Sequence, residues 1–285
     1  MATIEKDHIT MAMKQPNDDE QQPGKPARRP RSDKGQRQLT QRDLDTLLLI
    51  GQQYTYCFDQ LQGVLARHPD TSAEKEFLSE TRTRAAIEKW KQLGLANSRK
   101  ILHGAPQWVW LTRRGLYHVR LNVAYWEPEH SDLEHYFWIN ETRAHLEDLY
   151  LNNPKYEDVE WESERLWRAK RDRLLKEKKH DTALWIPEEY QCKHRPDAVF
   201  RYREGGHFYT AAVEIELNQK SYPTWKAVWN ELLRHYAAVW YFVGEDIKPA
   251  FLAALKRYQN ENPAYDEPDA AARQRIFVSD LQQTL

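Results

Sequence analysis

The chain has 285 residues, 40% of them hydrophobic and 30% charged, which fits two domains of ordinary size with wet surfaces. No apolar run approaches the roughly 20 residues of a membrane span, the N-terminus lacks a signal-peptide core, and only two cysteines occur. These features argue against a membrane or disulfide-framed protein and point to a reducing cytoplasm.

The net charge of −1 conceals an asymmetry. Residues 1–38 carry 8 basic against 6 acidic side chains, 39–125 carry 12 against 8, and 126–285 carry 22 against 29. A polyanion would therefore dock on the front of the chain.

Residues 1–38 are rich in Gln, Pro, Asp and Lys/Arg with almost no apolar periodicity, and read as a disordered basic tail. Arg29-Pro30-Arg31 has the look of a minor-groove arm, although such clusters are more often solvated tails. Thr40 then caps a first helix, with Asp43 at its third position and Leu44, Leu47, Leu48 and Gly51 as its inner stripe. A second helix runs from about Thr55 to Ala66 through Phe58, Leu61 and Leu65, and His68-Pro69-Asp70 closes it. A third runs from about Ser79 to Leu93, with Ala86, Ile87, Trp90 and Leu93 inward and Gly94 at its end. Leu95–Leu102 is strand-like, His103-Gly104-Ala105-Pro106 turns, and Gln107–Leu111 pairs back.

Three helices and a hairpin over residues 39–125 give the order of a winged helix-turn-helix, whose partner is double-stranded DNA. The third helix is the expected reader. Thr81, Arg82, Thr83 and Arg84 occupy its first turns, where base edges are met, and Lys89 and Lys91 suit phosphates further along. Arg99 and Lys100 approach the wing tip. The competing reading is a helical domain with solvated arginines.

Thr112–Val119 reads as a short helix, and Glu127-Pro128-Glu129-His130 marks the start of a second domain, residues 126–285. The next helix, Leu133 to Leu151, carries His135 and His145, which read as core-edge or surface side chains. Asp158 to Lys179 reads as a charged helix with Val159, Leu166, Trp167 and Leu174 on one face. Cys192-x-His194 lacks a second ligand pair and reads as a chance neighbourhood, not zinc. Strands follow at Arg195–Tyr202 and Phe208–Leu217, joined around Gly205-Gly206.

A two-residue turn at those glycines pairs Glu204 with His207 and, by the same register, sets Asp197 opposite Glu214, with Glu216 on the same face. Like charges so placed destabilise a sheet unless a cation, a proton or strong solvation compensates them. Asp197, Glu214 and Glu216 therefore suggest a hard-cation site suited to magnesium. The remaining segments are a helix at Tyr222–Ala238, with Trp225, Val228, Trp229, Leu232 and Tyr236 inward, a buried strand at Val239–Val243, a helix at Pro249–Tyr258 and a strand at Ile276–Val278. Together they predict an α/β core.

The pair Pro196-Asp197, followed after a hairpin by Glu214-Ile215-Glu216, resembles the PD-(D/E)XK nuclease-like superfamily, with Glu164 at the position of its helical glutamate. The resemblance implies acids that bind magnesium and a lysine that helps activate the attacking water. Here Glu216 occupies the lysine slot, a Glu-x-Glu variant found in some restriction endonucleases of the superfamily. Lys220 would substitute only if the chain curls back, since in an extended strand it stands about 13 Å from Glu216. A simple i,i+4 pair with Arg168 is the competing role for Glu164.

The winged-helix order followed by Ser163-Glu164-Arg165-Leu166, Pro196-Asp197 and Val213–Glu216 is similar to the replication-relaxation family of plasmids and integrative elements, over about residues 39–245. That resemblance implies a role in control of plasmid replication and a nuclease-like domain often suspected of being inactive. Three functions follow as expectations. One is a DNA-binding regulator with a scaffolding second domain. Another is a magnesium-dependent endonuclease addressed by its winged helix. The last is a transcriptional regulator whose second domain mediates homodimer or partner contacts.

Overall fold

The computed structural model describes residues 38–71, 76–101, 104, 106–262 and 275–281. The expected tail, with its arginine cluster, and most of the turn after Ile101 lie outside the described residues. The fold is mixed α/β with two sheets, and Arg37–Leu285 forms one compact unit. No described helix is long and apolar enough to cross a membrane.

The front of the chain runs α1 (Gln41–Gln52), β1 (Thr55–Cys57), α2 (Phe58–Arg67), α3 (Glu80–Gln92), β2 (Ala96–Arg99), β3 (Trp108–Leu111) and α4 (Arg113–His118). Thr40 begins α1 as expected: its hydroxyl accepts from Asp43 N, and the Asp43 carboxylate accepts from Thr40 N at 2.7 Å. The same carboxylate is wholly buried and receives Lys89 Nζ at 2.5 Å and Trp90 Nε1 at 2.8 Å, which ties α1 to α3. Leu47, Ile50, Leu61, Leu65, Ile87, Trp90 and Val109 fill the core between the helices and the sheet.

Burial alone pushes the Asp43 carboxyl up, but the hydrogen bonds from Lys89, Thr40 and Trp90 outweigh it and hold the group below its usual range. A carboxyl lowered on folding stabilises above the unfolded value of about 3.9 and loses that contribution as pH falls through the folded value. Asp43→Asn is therefore expected to lower the melting temperature at pH 7 and to converge on the parent as thermal melts are taken below about pH 4.

The second helix begins three residues later than its sequence suggests. Thr55–Cys57 extends instead as a strand and pairs antiparallel with Trp108–Trp110, giving the sheet order β1-β3-β2. The partner that makes it a strand lies some fifty residues downstream, beyond the reach of local periodicity. At Tyr54, just before it, the backbone takes φ 73°, a conformation that costs a bulky side chain energy. At α4 the glycine is obligatory, because a Cβ on Gly115 would fall 1.9 Å from Leu95 O.

The rest of the chain comprises α5 (Leu133–Leu151), β4 (Tyr156–Ser163), α6 (Glu164–His180), β5 (Ala198–Glu204), β6 (His207–Glu216), α7 (Tyr222–His235), β7 (Ala238–Val243), α8 (Lys248–Glu261) and β8 (Arg275–Asp280). The strands form one sheet in chain order, antiparallel from β4 to β6 and parallel from β6 to β8. Ile139 and Leu146 of α5 pack on one face against Trp161, Phe200, Val213, Ile215 and Phe242. Trp167, Trp225, Trp229 and Phe251 from α6, α7 and α8 cover the other, over Val199, Ala212, Val239 and Tyr241.

Two expectations change here. The charged segment from Asp158 is a strand as far as Ser163, and only then a helix, whose first turn Ser163 caps. The acids before Ser163 do not line a helix surface: Glu162 is buried in the sheet layer and Trp161 points to the opposite core. The hairpin itself follows the expected register, with Glu204 opposite His207 and Gly205 and Gly206 both left-handed. However, the ladder opens at Ala198, leaving Asp197 one residue before it, and helices cover both faces of β6. Glu214 and Glu216 are consequently buried.

Candidate functional site

The five residues expected to act on phosphate gather where β5 begins, β6 ends and α6 starts. Asp197 Oδ2 accepts from Ile215 N at 2.7 Å, so the aspartate is bound to the backbone between the two glutamates. Asp197 O accepts from Glu164 N at 2.9 Å, which brings the first residue of α6 alongside. Beyond Glu216 the chain leaves the extended path, and Lys220 Nζ returns to 2.8 Å from Glu216 Oε2. The distance expected for a continued strand does not apply, because β6 stops at Glu216 and the Ser221 cap of α7 turns the chain. Trp225 Nε1 donates to the same carboxylate oxygen at 3.0 Å.

Each of the other two carboxylates has an imidazole. His135 Nε2 lies 2.9 Å from Asp197 Oδ1, and His194 Nε2 lies 3.1 Å from Glu214 Oε1. Burial pushes Glu214 well above the ordinary carboxyl range, against the pull of His194, and the neighbouring charge of Asp197 pushes the same way. Burial lowers both imidazoles, but Asp197 for His135 and Glu214 for His194 more than reverse it, so both are raised. The site therefore compensates buried negative charge with protons and cations already in the fold.

Oxygen donors in this number suit a hard divalent ion. They fit in chemistry, although His135, His194 and Lys220 already pair with the three carboxylates. Among the described residues the carboxylates do not form three ligand atoms within 4.8 Å of one another. The group that does is Cys192, Glu231 and His235. Cys192 is thus near a histidine, although not the one two residues on, since His194 faces Glu214.

Glu164 is not paired with Arg168. Its carboxylate accepts from Tyr54 OH at 2.5 Å and lies 3.5 Å from Arg195 NH1. Tyr54 belongs to the front of the chain, and the seam around it is polar and specific. Ser163 Oγ donates to Gln52 O, Asn140 Nδ2 donates to Thr55 O, and Arg165 donates to both Gly51 O and Ala124 O. A cleft of about 680 Å³ opens on this seam, with Tyr54, Trp126, Tyr136, His194, Arg195 and Asp197 among its lining. A second, of about 440 Å³, contains Glu216 and Lys220, and His135 borders both.

Of the expected DNA contacts, Thr81 and Arg82 stand exposed on α3 with no side-chain bond or ion pair among the described residues. Arg84 and Lys91 pair with Glu80 and Glu88 on the same helix, exposed pairs weak enough to yield to a phosphate, and the Arg84 guanidinium also lies 4.8 Å from the Phe58 ring centroid on α2. Arg99 and Lys100 are exposed at the end of β2, the former 3.7 Å from Glu127. Two residues are placed otherwise. Thr83 is buried and donates to Ser79 O, and Lys89 is held by Asp43, so both serve the packing of α3.

His135, His194, Tyr54 and Arg165 are the members of the site that residue spacing does not reveal. Only His194 carries a local signal, lying three residues before Asp197 on the way into β5. No known family model matches the chain, and no curated protein matches it in sequence.

Proposed function

We propose that this is a DNA-binding protein of a plasmid or other mobile element, acting in the cytoplasm on replication or transfer, in which a winged helix addresses a nuclease-like domain to duplex DNA. The observation that carries the reading is the gathering of Asp197, Glu214, Glu216, Glu164 and Lys220 at one sheet end, with Glu164 held by Tyr54 from the DNA-binding part. The order of α1, α2, α3 and the β2–β3 hairpin supports the winged helix, and exposed Thr81 and Arg82 support α3 as its reader.

In this reading Asp197 and Glu214 would hold magnesium, which would supply a more acidic water and neutralise charge on the phosphorus centre. Lys220 and Glu216 sit at the edge of the site as a cation and a proton acceptor, and Arg195 beside Glu164 faces the phosphate. A second reading, a clamp that binds DNA without cutting, is favoured by the imidazoles already seated on Asp197 and Glu214.

The test is supercoiled plasmid incubated with the protein and magnesium. Nicking is expected, falling at least about 100-fold in Asp197→Ala and in Glu214→Ala. Absence of cleavage with magnesium, manganese and calcium alike would exclude the endonuclease and leave the clamp. Binding has a separate measure. Replacing Arg82 and Arg84 by alanine is expected to weaken duplex affinity and to reduce the salt slope by about 1 for each phosphate the protein no longer neutralises. An unchanged slope would mean that α3 is not the reader.

A further inference from the structure

We propose that the cleft on the seam holds one unpaired nucleotide of a DNA strand, its base against Tyr54, Trp126 and Tyr136 and its phosphates against Arg168, Lys193 and Arg195. This inference rests on the reading that the protein binds DNA.

The three aromatic residues form one wall. Tyr54 lies 5.2 Å from Trp126 and 5.0 Å from Tyr136 between ring centroids, and Trp126 lies 5.0 Å from Tyr136. All three rings are half-buried and line the cleft, so each keeps part of its surface toward the opening. The Arg165 guanidinium lies 4.7 Å from the Tyr54 ring centroid and is fixed by two backbone carbonyls, which makes the wall rigid. A paired base offers its faces only to its neighbours in the stack, so an aromatic wall recognises a base that has left the duplex.

The remaining lining gives the charge that such a nucleotide needs. Arg168 and Lys193 are exposed and form no ion pair among the described residues, while Arg195 is only loosely drawn to Glu164. A volume of about 680 Å³ accommodates a nucleotide with its flanking phosphates. Asp197, which also lines the cleft, then lies beside the strand, and His135 leads on to the second cleft with Lys220. A strand seated this way runs from the aromatic wall across the carboxylates. The left-handed backbone of Tyr54 is consistent with that use, since strain of this kind persists where the surroundings impose a required side-chain position.

The experiment compares two duplexes of identical sequence with the full chain, one intact and one with a single-stranded gap carrying 2-aminopurine. Anisotropy is expected to give tighter binding to the gapped duplex, by roughly 5- to 100-fold, with 2-aminopurine emission quenched on binding. Trp126→Leu should remove both the preference and the quenching, and Trp126→Phe should retain most of both. Arg168→Gln with Lys193→Gln, two exposed positions that leave the core intact, should lower affinity for the gapped duplex alone. Equal binding of both duplexes, or full quenching in Trp126→Leu, overturns the inference while leaving the winged-helix reading in place. No binding of either duplex overturns that reading and this one together.

Discussion

Arg165→Met is expected to destabilise the protein by about 2–4 kcal/mol and to split its unfolding into two steps. Arg165 is 5% exposed and stands at the start of α6, yet its guanidinium reaches across to the front of the chain. One nitrogen donates to Gly51 O at 2.7 Å and another to Ala124 O at 2.5 Å, at the end of α1 and in the segment joining the two parts. Methionine retains much of the volume but leaves the buried Gly51 carbonyl, and the more open Ala124 carbonyl, without a donor, and an unmade buried hydrogen bond costs more than a made one contributes. The front of the chain and the five-stranded sheet have separate main cores, bridged by the small cluster of Cys57, Trp108 and Leu133, so loss of the tie lets each unfold at its own temperature. Calorimetry would register a drop of roughly 10 °C in the first transition. A single transition near the parent's would show that the seam is held by its other bonds.

Arg201→Met should be comparably severe for a different reason. Glu162, on the neighbouring strand, is 5% exposed and receives the Tyr190 hydroxyl at 2.8 Å and Arg201 NH2 at 2.7 Å. The same nitrogen lies 2.8 Å from Glu189, and these carboxylates outweigh the effect of burial and raise the guanidinium above its usual range. Removing the cation leaves a buried carboxylate with one neutral donor and a distant Lys170, at a cost of about 3–5 kcal/mol. Adding Glu162→Gln to Arg201→Met should recover part of the loss, and strict additivity of the two in urea titrations would rule out the pair as the origin.

The two cores were legible to unequal degrees. The cap at Thr40, the inward faces of α3 and α7 and the hairpin at Gly205-Gly206 follow from patterns within a dozen residues. The strands β1 and β4 do not. Thr55–Cys57 is too short to show a period, and Glu157, Glu160 and Glu162 make β4 look like the solvent side of a helix. Both owe their conformation to a distant partner, β3 and β5 respectively.

The site divides in the same way. Hairpin arithmetic placed Glu214 and Glu216 together and brought Asp197 close, because strand register is a local property once the turn is known. It could not supply His135, which comes from α5, or Tyr54, which comes from just beyond the end of α1 at the front of the chain. The curl that returns Lys220 to Glu216 also escaped it. On α3, residue type nominated Lys89 and Thr83 as DNA contacts, while the buried carboxylate of Asp43 and the packing of the helix claimed them instead.

By itself, then, the sequence determined the basic front, the helix–hairpin order and the acids at the end of β6, all of which depend on near neighbours in the chain. The tertiary structure alone decided that those acids are buried and what neutralises them. It also set Tyr54 and Arg165 across the seam to join the two parts. Burial and charge compensation depend on what folds over a residue, and those elements arrive from as far as 114 residues away.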